Sequence, residues 1–262
     1  MQHLIWNVNP VMLEIGSFKI HWYGILFATS FVIGLFILTW MYKREKKNAD
    51  ILNYLLLYTF IGAAVGARLV HCLFYEPNYY LANPLEILDI RKGGLASHGG
   101  MVGVLIALWF LTKYYKESYT WLIARFTIVG IFTAAAIRVG NFMNSEILGL
   151  PSNLPWAIVF QRVDTVPRHP VQLYEALAYL LIFILLLSIY LKAKASTSTK
   201  ILPPLFLITL FGTRFFIEYA KTRQATYVTD LPLTTGQMLS IPFVIIGVIW
   251  LILSLRSNKV GA

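Results

Sequence analysis

Arg138, Asn141 and Asn144 recur at intervals of three in AIRVGNFMNSEILG, residues 136–149 of the chain, followed by Glu146 and Gly149. On a helix that spacing puts a guanidinium and two amides on one face. The guanidinium is a planar fork of donors matched to phosphate or carboxylate, and the amides add neutral donors and acceptors. In FGTRFFIEYAK, Arg214 and Glu218 stand at i and i+4. There the acid either neutralises a buried arginine or aims it at an anionic ligand. RHPVQLYEA places Pro170 where a helix would begin, with Gln172 and Glu175 on one face and His169 before them. GGLASHGGMVG carries His98 among glycines. It is the one ordinary general base of this set at neutral pH. The absent side chains of Gly99 and Gly100 would let a ligand approach the backbone, and free amides at a helix start favour an anion. The set reads as a base beside an anion site.

Each motif also has a plainer reading. Arg138 and the asparagines could cap a helix C-terminus, Arg214 and Glu218 could be a neutralised pair, and His98 could sit in a flexible interfacial hinge. Tyr23, in HWYGI, fits an aromatic belt as well as a site.

The elements that must position these residues are transmembrane helices. Of 262 residues, 58% are hydrophobic and 13% charged, against about 25% charged in a soluble domain. Seven stretches reach the roughly 20 residues needed to cross a bilayer: 17–41, 51–75, 98–115, 119–140, 170–191, 201–220 and 235–255. Lipid-exposed backbone must bond internally, so they are predicted as helices. The segments 76–97 and 141–169 are too long for turns and hold aromatics, proline and charge, which predicts surface-lying outer segments. ASTSTK at 195–200 reads as a short polar linker. The expected architecture is an all-α integral membrane protein, one domain over 1–262, with seven transmembrane helices and a small outer arm or cap.

Charge sets the orientation. Lys43, Arg44, Lys46, Lys47, Lys113, Lys116, Lys192, Lys194, Lys200, Arg256 and Lys259 fall on one side, and Arg91, Lys92, Arg162, Arg168, Lys221 and Arg223 on the other. The richer side is cytoplasmic, which puts the N-terminus outside and the C-terminus inside. Lys19, at a helix start, and Arg125, near an inner helix end, are predicted to snorkel. Arg68, Arg138 and Arg214 fall in the outer parts of the second, fourth and sixth spans, as ion pairs or as a site. The first seventeen residues lack a basic n-region and a cleavage site, so the first span is expected to stay. The net charge of +10 lies in loops between apolar runs, the pattern of topology and not of a nucleic-acid surface. The lone Cys72 excludes an internal disulfide, and no HExxH or cysteine–histidine ligand set is present, so no metal or cofactor is expected.

HWYGI at 21–25, GARLVHCLFY at 66–75, GGLASHGG at 93–100, RVGNFMNSEILG at 138–149, RHPVQLYEA at 168–176, RFFIEYAK at 214–221 and TGQMLSIPF at 235–243 together resemble the prolipoprotein diacylglyceryl transferases of bacterial inner membranes. The matches run in family order over nearly the whole chain. The resemblance implies transfer of a diacylglyceryl group from phosphatidylglycerol to the lipobox cysteine of a prolipoprotein signal peptide, giving a thioether and glycerol 1-phosphate. It further implies a monomeric enzyme working among membrane lipids, with its active site facing the outer half of the membrane. His98 matches the histidine proposed as base, and Arg138 and Arg214 the arginines around the headgroup. Tyr23, Asn141, Asn144, Glu146, Gly149 and Glu218 match other functional positions, and Gly99 and Gly100 join the headgroup set. Family members often carry an acid and an Ala-Pro step early in the fourth helix; here IARFTIVGIF stands at 123–132, with Arg125 and no proline, which removes the reason for a kink.

Two other classes predict different sequences. A transporter should show polar residues in both membrane halves or a repeat between its halves. An intramembrane hydrolase should carry GxSxG or a metal pair. Neither pattern stands out here.

Overall fold

The structure, a computed structural model, describes residues 3–16, 18–89, 94, 96–222 and 232–257. Gly93 and Leu95 of the histidine motif, and Arg91, Lys92, Arg223 and Lys259 of the charge pattern, lie outside the described residues. In chain order the elements are β1 (Leu4–Trp6), β2 (Val11–Ile15), β3 (Phe18–His21), α1 (Trp22–Arg44), α2 (Leu52–Val70), α3 (Pro77–Ala82), α4 (Ser97–Tyr114), α5 (Tyr119–Met143), β4 (Ile158–Phe160), β5 (Pro167–Arg168), α6 (Val171–Lys192), α7 (Ala195–Ile217) and α8 (Thr235–Ser257). A π-helical turn, His71–Tyr75, extends α2, and tight 3-10 turns follow at Pro84–Leu88 and Glu218–Ala220. Among the described residues six helices are long and apolar enough to cross a membrane: Trp22–Arg44, Leu52–Tyr75, Tyr119–Met143, Val171–Lys192, Ala195–Ala220 and Thr235–Arg256. This is a multi-pass, mostly helical membrane protein. The remaining expected span, 98–115, coincides with α4, whose 18 residues open on the polar Ser-His-Gly-Gly.

Four expectations are corrected. The first span does not begin at 17: residues 18–21 form β3, which pairs antiparallel with β2 across a turn where Gly16 has φ +60°. Lys19 is therefore on a strand, 3.4 Å from Glu14, and not at a helix start. The polar ASTSTK is no linker but the first turns of α7, because Ser198 and Thr199 hydroxyls donate to the Ala195 carbonyl. Arg125 does not snorkel: it is 0% exposed and donates to Thr199 and Ser198, with its guanidinium 5.5 Å from the Tyr190 ring. α5 runs unbroken from Tyr119 to Met143, in keeping with its lack of proline.

The chain forms two compact units, Met1–Ile37 with Ile123–Ala262, and Leu38–Leu122. In the larger, α6 packs on α7 and α7 on α8. β1 runs parallel to β4, which pairs antiparallel with β5. Phe142, Ile158 and Phe160 form a buried cluster there with Trp6, Met143, Leu148 and Leu173, and the Trp6 indole donates to the Phe142 carbonyl at 3.2 Å. The segment 141–169 thus carries strands and its own small core.

The smaller unit is held by α2 against α4. A Cβ on Gly62 would lie 2.6 Å from the Gly103 carbonyl, and one on Gly66 2.7 Å from Gly103 Cα. This small-residue seam lets two backbones approach where lipid gives helices no hydrophobic reason to associate. Arg68 is 3% exposed, and its guanidinium donates to the carbonyls of Ile87, Gly94, Glu86 and Asp89 while lying 4.9 Å from the Tyr80 ring. Where an ion pair or a site was expected, these contacts anchor Arg68 to backbone carbonyls.

Candidate active site

The start of α1, end of α5, start of α6, end of α7 and start of α8 carry polar residues in the larger unit. Successive antiparallel helices place such alternating ends together, and side-chain contacts join them. A Cβ on Gly140 would lie 2.7 Å from Tyr23 Cδ2, so the tyrosine ring lies on bare backbone of α5. Arg138 Nε lies 3.1 Å from Glu175 Oε2 on α6, an ion pair by distance whose N–H is not aligned as a hydrogen bond. Glu175 Oε1 accepts from Lys221 Nζ at 2.7 Å, and Lys221 is also 3.5 Å from Glu218 Oε2. The Glu218 carboxylate fills the space over Gly236, where a Cβ would come 2.5 Å from Glu218 Cδ.

The sequence dictates how α5 ends. Ser145 N–H donates to the Phe142 carbonyl and Glu146 N–H to that of Asn141, at 3.1 and 2.9 Å, with Ser145 at φ +55°. This closes the helix in a Schellman motif. Ile147 also sits at φ +55°, a costly conformation for a β-branched residue, of order 1–3 kcal/mol. Several bonds hold it. Arg138 Nη1 donates to Asn141 Oδ1 at 3.4 Å, Asn141 Nδ2 to Glu146 Oε2 at 3.0 Å, and Asn144 Nδ2 to Glu146 Oε1 at 3.1 Å. Gln172 donates to the Glu146 carbonyl. The next turn is pinned too: Gly149 bridges Lys221, Leu150 N–H donates to the Ala220 carbonyl, and a Cβ on Gly149 would press 2.6 Å from His169 Cβ.

The larger unit therefore brings together Tyr23, Arg138, Asn141, Asn144, Glu146, Gly149 and Glu218. Arg138 and Arg214 both lie within electrostatic range of the Tyr179 hydroxyl. The expected Arg214–Glu218 pair does not form among the described residues: α7 ends at Ile217, and Glu218 turns to Lys221. Arg214 Nε is instead buried without a hydrogen-bond partner. His98, Gly99 and Gly100 belong to the smaller unit. His98 is exposed in the first turn of α4, while Gly99 and Gly100 are buried against α2, with Val70 Cβ 2.5 Å from a Cβ on Gly99. The bare backbone of those glycines faces a helix.

Cationic groups fixed by buried acids and amides at converging helix ends can bind an oxyanion and stabilise charge developing on it. Among the described residues no group of three or more His, Cys, Asp or Glu is arranged to hold a metal ion. The sequence model of the prolipoprotein diacylglyceryl transferases matches residues 10–253. The chain belongs to that family. The phosphatidylglycerol–prolipoprotein diacylglyceryl transferase of Tolumonas auensis is 48% identical over 256 residues, 97% of this chain and 99% of that protein. The enzymes of the same name from Chloroherpeton thalassium and Porphyromonas gingivalis are 47% and 40% identical, each over 98% of this chain and 96% of the relative.

Gln172 and Glu175, expected on one face, have no part in the residue set that the family resemblance implies, and Lys221 falls there among the loop cations. Glu175 is 0% and Lys221 7% exposed. Lys221 stands three residues after Glu218 and seven after Arg214, a spacing that could have marked it.

Proposed function

We propose that the protein transfers the diacylglyceryl group of phosphatidylglycerol to the lipobox cysteine thiol of a prolipoprotein signal peptide. A sulfur–carbon bond forms at the glyceryl carbon, the carbon–oxygen bond to phosphate breaks, and glycerol 1-phosphate leaves with that bond's electron pair. The single observation that carries this reading is Arg138, fixed by Glu175 and Asn141 at the end of α5 in a chain of this family. Arg138 and Arg214 bind the phosphate and stabilise the charge it gains on leaving. Tyr23, Asn141, Asn144, Glu146, Gly149 and Glu218 complete the headgroup site. His98 takes the thiol proton, since the thiolate is the nucleophile. Gly99 and Gly100 serve by letting α4 approach α2, which sets where His98 stands.

The chain acts as one membrane domain over 1–262. α4 is the seventh crossing. At about 1.5 Å per residue its 18 residues span about 27 Å, close to the apolar thickness of a bilayer. The N-terminus and the β1–β4–β5 sheet, a small cap, face the periplasm, the C-terminus faces the cytoplasm, and the enzyme works as a monomer in the inner membrane. The test is to incubate purified protein with phosphatidylglycerol and a lipobox peptide and weigh the peptide. The peptide gains the mass of a diacylglyceryl group; no gain with folded protein would sink this function.

A further inference from the structure

We infer that Glu175 and Lys221 form a positioning pair that keeps Arg138 fixed toward its ligand; this rests on the transferase reading above. Glu175 is buried in the second turn of α6, where a lone carboxylate would be strongly disfavoured. It is stabilised from two sides. Arg138 Nε approaches one oxygen at 3.1 Å, while Lys221 Nζ at 2.7 Å and the Tyr179 hydroxyl at 3.4 Å donate to the other. Lys221 shares this carboxylate and also meets Glu218, so the four groups form one balanced network in which Arg138 is held from the Glu175 side.

Geometry divides the labour. Arg138 turns its Nε edge to Glu175 and Nη1 to Asn141, and its guanidinium also meets the Tyr179 hydroxyl. A guanidinium clamped along one edge presents the remainder in a fixed direction, as bidentate recognition of a phosphate needs. Lys221 is itself immobilised: its N–H donates to the Glu218 carbonyl at 3.1 Å, its backbone bridges Gly149, and its ammonium also meets Glu218 at 3.5 Å. The same lysine thus ties α6 to the turn after α7 and to the loop leaving α5. Neither residue is required to touch the lipid; both act through Arg138.

The test uses the full-length protein in detergent with Glu175→Gln, Lys221→Met, Lys221→Arg and the double variant E175Q/K221M. Removing one partner leaves a buried charge unpaired, so the single variants lose thermal stability; removing both restores much of it. If the pair positions Arg138, the double variant melts near wild type. Its kcat nonetheless falls by about a hundredfold, as misplacement of a transition-state group does, and it binds short-chain phosphatidylglycerol about tenfold more weakly. Lys221→Arg keeps the charge and retains most activity. A double variant with both wild-type kcat and wild-type affinity overturns the inference and leaves the pair as scaffold. The affinity measurement needs no transfer. A wild type that binds lipid but modifies no peptide refutes the transferase reading, and the variant affinities still decide this one.

Discussion

Replacing Arg138 by lysine keeps a charge opposite Glu175 and discards the planar fork. If a phosphate is held by that fork, Arg138→Lys lowers the transfer rate by about a hundredfold while the protein still inserts and melts near wild type. His98→Ala is expected to slow transfer by about 10²-fold or more, the usual contribution of a positioned base, with normal membrane insertion. His98→Gln tests the role itself: a near-normal rate would demote His98 from proton acceptor to a group that orients substrate. Both are read by single-turnover transfer to a peptide. At this scale the triplet Arg138, Asn141 and Asn144 was legible because its members lie within two helical turns. Glu175 and Lys221 stand 46 residues apart and meet only once α6 and α7 are folded. A carboxylate at the end of one span and a lysine after another each looked interfacial alone. The missing partner of Arg214 had the opposite cause. The i to i+4 spacing is kept, since the Glu218 N–H bonds the Arg214 carbonyl, but the Glu218 carboxylate turns to Lys221 and Gly236 instead.

At the scale of elements, the α2–α4 seam makes a specific demand. Gly103→Ala puts a methyl onto the Gly62 backbone, and either the helices separate or the variant is destabilised by about 1–3 kcal/mol, the usual cost of overpacking. Melting in detergent should show the loss, and Gly130→Ala, which meets nothing within 4 Å, should not. The turn before β5 carries a pH dependence. Arg168 donates to Asp164, and chiefly that hydrogen bond holds the Asp164 carboxyl below its ordinary range. Its contribution is present above the unfolded value, about pH 4, and is lost as pH falls through the lower folded value. Asp164→Asn therefore loses that contribution at neutral pH and converges on the wild type as pH falls towards 3, which flattens the acid limb of stability measured by melting between pH 6 and 3. The long helices were legible because twenty apolar residues leave little alternative in lipid. The strands were not: β1, β4 and β5 have three, three and two residues, too few for an alternation of period two to register. ASTSTK misled for a related reason, since hydroxyl-rich composition resembles a linker until its partners, Ala195 and Arg125, are seen.

For the whole molecule, the orientation proposed from charge can be mapped because Cys72 is the chain's lone cysteine. In a Cys72→Ser background, a cysteine at Ser152 should react with an impermeant maleimide added to intact cells, and one at Lys46 only after permeabilisation. The reverse pattern would invert the topology and move the site to the cytoplasmic half. The proposed reaction couples two events: cations at the helix ends take the phosphate of one substrate as a thiol displaces it. The most direct measurement follows glycerol phosphate release and thioether formation in one reaction of purified protein, phosphatidylglycerol and lipobox peptide. Equal amounts of the two products are expected at every time point, both abolished when the peptide cysteine is replaced by serine. Glycerol phosphate released without thioether, or unaffected by that replacement, would contradict the coupling.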